Sequence, residues 1–174
     1  NRIARTRRAV LAELEGLSPA QGAWREEDGM WNLQEVVEHL VLAERGGVHL
    51  IWEAANAWRA GAPVWAGESQ NEGRTIEEII AATWQPKEKA PPSAEPTGRW
   101  SLGSWAAQLR SCDAPLEDLA RHLEGLPLHK VIYPHFLSGP LDALQRLDFI
   151  RFHMEYHLPQ IRRIRAAVAR AGIP

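Results

Sequence analysis

Residues 140–171 read PLDALQRLDFIRFHMEYHLPQIRRIRAAVARA, and this stretch decides both the fold and the site. Phe149, Ile150, His153, His157, Gln160, Ile161 and Ile164 recur at steps of three and four. That period belongs to one face of a helix, here the last helix of the chain, and the face turns toward an apolar seam. Pro140 suits the first turn, where no amide is needed. Arg162, Arg163, Arg165 and Arg170 crowd the far end, where cations suit a helix C-terminus.

Working backward, three more long segments carry the helical period. A first helix is expected from Ile3 to Gly16, with the glycine as a stop. Ser18-Pro19 then opens a short helical piece through Trp24. A second long helix is expected from Asn32 to Arg59, with Asn32 and Glu35 as an imperfect capping box. Val36, Leu40, Ala43, Gly47, Ile51 and Ala54 mark its inner stripe. Val41, Leu42 and Trp52 fall outside it, which predicts cover on a second side, as by a partner subunit. Residues 61–73 read as turns, and Thr75 with Glu78 starts a short helix to Trp84. The proline-rich segment 85–99 reads as a crossover connection. A third long helix is expected over 101–124, its stripe Leu102, Trp105, Leu109, Cys112, Leu116, Leu119 and Leu123 keeping phase past Pro115, where we expect a kink and not a break. Residues 125–140 are irregular, with a brief extended run Val131-Ile132-Tyr133. No strand alternation of useful length is visible. The expected fold is all-α: an antiparallel four-helix bundle with long crossover connections, in one domain spanning 1–174.

Composition bounds the function classes. The chain has 174 residues, 45% hydrophobic and 24% charged, with a net charge of −2. Acids and bases are interspersed, and the first 140 residues carry no basic stripe, so we expect no nucleic-acid partner. No apolar run approaches the roughly 18 residues of a membrane span, so no membrane partner is expected. One cysteine, Cys112, cannot form an intrachain disulfide. With no leader pattern at the start, this predicts a cytoplasmic protein. The eight tryptophans include Trp65, Trp84 and Trp100, candidates for a pocket rim or a dimer contact.

Chemistry centres on His153 and His157. Residues four apart on a helix lie about 40° apart around the axis and about 6 Å along it, so two imidazoles can meet one ion. This is not the zincin arrangement, which places Glu directly after the first His. Glu155 stands two after His153, about 200° around the helix, on the opposite face. Inward imidazoles need hydrogen bonds or a metal, and the pair alone supports either. His39 lies at the edge of the second helix's stripe. If that helix faces the last one, His39, His153 and His157 form a three-nitrogen set with open positions. Such a set suits Zn²⁺ or Ni²⁺ first, with Fe²⁺, Co²⁺ and Mn²⁺ as alternatives.

Two stretches resemble a known family. Leu17-Ser18-Pro19-Ala20-Gln21 with Trp31 through His39-Leu40 and Glu44 resembles the first signature of the DinB superfamily. Pro134 through Gly139-Pro140-Leu141, then His153-x-x-x-His157-Leu-x-Gln160-Ile161, resembles its closing helix. Relatives show His-Pro before the glycine, where this chain has Tyr133-Pro134-His135. The resemblance covers roughly the first third and the last quarter of the chain. It implies a DinB/YfiT-like bundle, often a homodimer, with His39, His153 and His157 as metal ligands. Characterised relatives include bacillithiol S-transferases and mycothiol-dependent maleylpyruvate isomerases. The resemblance therefore implies a metal-dependent enzyme acting on a small-molecule substrate, with a low-molecular-weight thiol as co-substrate. A metal-dependent hydrolase, a non-catalytic metal-binding stress protein and a metal-free histidine network stand as alternatives.

Remaining residues carry competing readings. Gln160 either hydrogen-bonds a ligand imidazole or pairs with a neighbouring helix. Glu44, an acid within an apolar stripe, reads as a buried salt bridge before it reads as a proton acceptor. Arg146 shares the inner face. It snorkels to the bundle end or anchors an anionic substrate group. His135, in the loop feeding the last helix, reads as a solvated loop residue before it reads as one that reaches the pocket mouth. His49, His122 and His129 lie outside the seam. Cys112 reads as core and not as a nucleophile. Pro159 removes a hydrogen bond to the carbonyl of Glu155 and should bend the helix beside the pair.

Overall fold

A computed structural model describes residues 2–85 and 89–174. The protein is mostly helical with two short strands. The helices are α1 (Arg2–Leu14), α2 (Pro19–Ala23), α3 (Leu33–Arg59), α4 (Ile76–Thr83), α5 (Leu102–Ser111), α6 (Asp113–His122) and α7 (Ala143–Ala171). A single 3-10 turn, Pro92–Ala94, interrupts the predicted crossover. Residues 86–88 of that crossover lie outside the described residues. Strands β1 (Ile132–His135) and β2 (Gly139–Asp142) pair antiparallel, with Pro134 opposite Pro140.

Helix starts follow local chemistry. At α3, Asn32 Oδ1 accepts from the Glu35 amide (3.0 Å) and Glu35 Oε2 from the Asn32 amide (2.9 Å), so the imperfect box is fully made. Ser18 with Gln21 and Thr75 with Glu78 make the same reciprocal pair. Each such cap is worth about 1 kcal/mol. The start of α7 differs from expectation. Pro140 lies in β2, and Asp142 caps the helix with Gln145. A proline fits a short strand whose partner position also lacks an amide, and Asp142 offers the acceptor that Pro140 cannot.

The helix expected over 101–124 is two helices, separated at Cys112. The cause is Pro115. It has no amide to give the Ser111 carbonyl, and its ring crowds that carbonyl, so the helix ends four residues upstream of the proline. Every residue of the predicted stripe is nevertheless buried, because Cys112 at the separation keeps right-handed helical backbone angles. By contrast, α7 runs unbroken through Pro159. Glu155 and Pro159 are both exposed, so the unmatched carbonyl lies on the wet side.

α3 and α7 pack against each other, and both pack on the same core: α1 lies on α7 and α5, while α5 and α6 lie on α3. Val37 and Val41, which face away from α7's seam, are fully buried. Thus the second side of α3 is covered by its own chain. Leu42 and Leu50 remain half-buried along a cavity, and Trp52 packs on His122. A satellite cluster of Ile76, Ile79, Ile80 and Leu141 seats α4 on α7 beside Trp84, Phe149 and Phe152. Arg151, buried in α7, ties these elements together through Glu77, Asp148 and Glu155. The tail arginines pair with α1 and the loop after α2: Arg162 and Arg165 with Glu13, Arg163 with Glu26. No described helix is long and apolar enough to cross a membrane.

Candidate metal centre

α3 and α7 bring His39, His153 and His157 to one point. All three are buried, and one nitrogen from each falls within 4.8 Å of the others. Ring centroids are 4.7–5.0 Å apart. His39 Nε2 lies 3.0 Å from His153 Nε2. Trp31, at the entry to α3, tilts its ring against His39 at 4.9 Å.

The tautomers follow from the acceptors around them. His39 Nδ1 is 2.8 Å from the Ala94 carbonyl, which can only accept, so Nδ1 carries the proton and Nε2 a lone pair. His157 Nδ1 donates to Gln160 Oε1 at 2.8 Å, which likewise frees Nε2. Gln160 thus hydrogen-bonds the His157 imidazole. Burial lowers the proton affinity of all three rings. For His39, the Ala94 hydrogen bond opposes that effect. His157 is pushed down to about 4, with Gln160 pulling it back. His153 is held well below the ordinary value, by burial first and by its neighbouring histidines second. Protonation is therefore a poor way to satisfy these lone pairs. A divalent cation satisfies them together, and three neutral imidazoles, two of them with fixed outer hydrogen bonds, are a donor set that fits one.

One buried carboxylate clamps the crossover that carries Ala94. Glu38 accepts from the Thr97 amide (2.9 Å), Thr97 Oγ1 (2.8 Å) and the Gly98 amide (2.9 Å). Sequence reasoning missed Glu38 because it precedes a ligand candidate on a helix already full of acids. Its burial depends on a segment some 60 residues away.

A cavity of about 520 Å³ opens beside the histidines. Trp84 lines it, donating Nε1 to Ser138 Oγ at 3.3 Å, whereas Trp65 bonds locally to Glu68 and Trp100 stacks on Trp105. Glu44 also lines it, in a buried ion pair with Arg7. Desolvation raises this carboxyl to about 7, against the pull of Arg7, and Oε2 has no partner among the described residues. His135 is not a solvated loop residue: it is buried in the cavity wall. The β1–β2 turn, with Gly139 at φ +69, folds it inward, and its Nδ1 accepts from the amides of Ser138 (3.1 Å) and Leu137 (3.3 Å). Arg146 does not snorkel out either. It is buried against the carbonyls of Tyr133 and Pro134. Asn71 holds the same hairpin by donating to Ser138 O (2.7 Å) and Pro140 O (2.9 Å).

The other candidates fall away from the cavity. Cys112 is buried, its thiol pushed up to about 11 by desolvation. His49 pairs with Glu53, His122 with Asn56 and His129 with Asp142. Glu155 is exposed and bonded to Thr6 and Arg151, on the opposite face from His153.

The sequence model of the DinB superfamily matches residues 2–161. YuaE of Bacillus subtilis (strain 168), described as an uncharacterized protein, is 27% identical over 161 residues, covering 91% of this chain and 92% of its own. No solved structure matches significantly.

Proposed function

The chain belongs to the DinB superfamily, and from that premise we propose that it is a metal-dependent enzyme whose ion is held by His39, His153 and His157. The observation that carries this reading is the buried three-histidine cluster beside an open cavity. A structural staple needs a fourth side chain. Among the described residues the cluster has three members, which leaves positions free for exchange. Zn²⁺ and Ni²⁺ are the first choices, with Fe²⁺, Co²⁺ and Mn²⁺ compatible with the same nitrogens. In this reading residues 1–174 are one domain. The helices α1, α3, α5–α6 and α7 form an antiparallel four-helix bundle of the DinB/YfiT-like kind, in a cytoplasmic homodimer.

When bound, such an ion lowers the pKa of a thiol or water that reaches it. The chain's own residues do the rest. Ala94 and Gln160 orient the imidazoles and keep Nδ1 protonated. Trp31, Trp84 and Phe149 keep water from the cavity wall. The reaction we favour is transfer of a low-molecular-weight thiol to an electrophilic small molecule, by analogy with relatives. Hydrolysis is the second reading. Glu44 favours it, because a cavity carboxyl poised near neutral pH can take a proton from water.

Elemental analysis of protein purified without chelator tests the metal. We expect about one ion per chain, and none after His39→Ala in a protein that still folds. A panel of thiols with an electrophilic dye tests the reaction. Turnover that requires both thiol and metal supports transfer. No turnover at full occupancy with any thiol leaves hydrolysis as the surviving reading.

A further inference from the structure

Three arginines are buried, and two have acids. Arg7 meets Glu44 and Asp113, and Arg151 meets Glu77, Asp148 and Glu155. Arg146, 5% exposed, has no carboxylate partner among the described residues. Its hydrogen bonds go to backbone oxygens: Nε and Nη2 to Tyr133 O (3.2 and 3.0 Å), and Nη2 to Pro134 O. The guanidinium also lies over the Tyr133 ring, 5.5 Å from its centroid, and burial lowers it only to about 10, so it stays charged at neutral pH without a described counter-charge. The carbonyl bonds use one edge and fix the plane. Nη1 takes no part in them, and Arg146 lines the cavity.

A second donor faces the same space. His135 Nδ1 accepts two backbone amides, so the proton of the neutral ring sits on Nε2. Nε2 has no hydrogen-bond partner among the described residues, and His135 lines the same cavity. Burial first, and Arg146 second, disfavour a second proton on this ring. Lys89 adds a cation to the cavity lining, and the one acid among its described residues, Glu44, is already ion-paired. On α7, Arg146 precedes His153 by seven residues, about 10 Å along the axis. Phe149 and Ile150 lie between them on the cavity wall.

We propose that Arg146 Nη1 and His135 Nε2–H form a carboxylate subsite, which holds the acid end of a substrate while its apolar body lies on Phe149 and Ile150 and its far end reaches the three histidines. The subsite rests on the cavity being the substrate site, as proposed above, but not on an ion being present. A carboxylate fits better than a phosphate. One guanidinium amino group and one ring N–H match two oxygens and one charge, and the remaining arginine donors are already used.

Calorimetric titration of the full chain with 4-phenylbutyrate, its uncharged amide and phenyl phosphate tests this, before and after chelation. We expect the carboxylate to bind at least tenfold tighter than the amide and tighter than the phosphate, with or without chelator. Arg146→Gln should bring carboxylate and amide within threefold, and Arg146→Lys should keep part of the preference. Should Arg146→Gln unfold, because the hairpin loses its anchor, the wild-type ratio in chelated protein decides. A ratio near one overturns the subsite, and so does tighter binding of the phosphate. A preference that disappears on chelation places the carboxylate on the ion, which sinks the subsite and leaves the metal reading intact. A preference that persists in protein that never held metal does the reverse.

Discussion

Gln160 and Ala94 set the tautomers of His157 and His39, so each should tune the centre without touching an ion. Replacing Gln160 by Ala removes the acceptor on His157 Nδ1, freeing the ring to turn and to exchange tautomers. The expected result is a fold that survives with metal affinity 10- to 100-fold weaker, read by competition with a chromophoric chelator. Unchanged affinity would make Gln160 a spectator. His135 makes a different prediction. Its folded value is pushed down to about 3 by burial and by Arg146, against an ordinary 6.5. Between those values the unfolded chain binds the extra proton and the native chain does not. Stability is therefore complete above about 6.5 and declines as pH falls toward 3, by about 1.4 kcal/mol per unit from this ring. Urea unfolding at pH 7 and pH 5 should show a drop that His135→Asn reduces by that amount, tested in metal-free protein. The four residues His39, His153, His157 and Gln160 were legible in the sequence because helical spacing alone puts three of them on one face. His135 was not, since its burial comes from a hairpin closed by Gly139 and pinned by Asn71, contacts that no local period encodes.

At the scale of elements, start signals were readable and interruptions were not. Asn32, Thr75 and Ser18 cap as their spacing indicates, because the capping bonds are local. The separation at Cys112 depends on how far upstream one proline unsettles a helix. The move of the α7 start from Pro140 to Asp142 depends on strand pairing with residues that show little alternation. Glu38 supplies the clearest element-scale test. It fastens residues 97–98 to α3, and the same connection carries the Ala94 carbonyl to His39. Glu38→Ala strands two amides and a hydroxyl. The expected cost is about 2–4 kcal/mol in chemical denaturation, together with a weaker metal site. Full stability loss with unaltered metal affinity would show that the crossover supports the fold but not the centre.

For the molecule as a whole, the decisive step was the meeting of α3 with α7. Periodicity shows which face of each helix is apolar, not which two faces touch. The convergence within 4.8 Å of residues more than a hundred positions apart is a property of the packed core. That core holds three imidazoles with nitrogens turned toward one another, an arrangement that favours any ligand able to bind them together. Ion binding should then stabilise the native state, because the unfolded chain scatters the three rings. At a free ion concentration one hundred times the dissociation constant the gain is about 2.7 kcal/mol. For a chain of this size that corresponds to a rise in Tm of about 5–10 °C. Scanning calorimetry of chelated protein, titrated with Zn²⁺ or Ni²⁺, should show that rise, and His39→Ala should show almost none. A Tm indifferent to every divalent ion tested would mean that the rings satisfy one another through shared protons, since no ion that binds only the folded chain can leave its melting point unmoved.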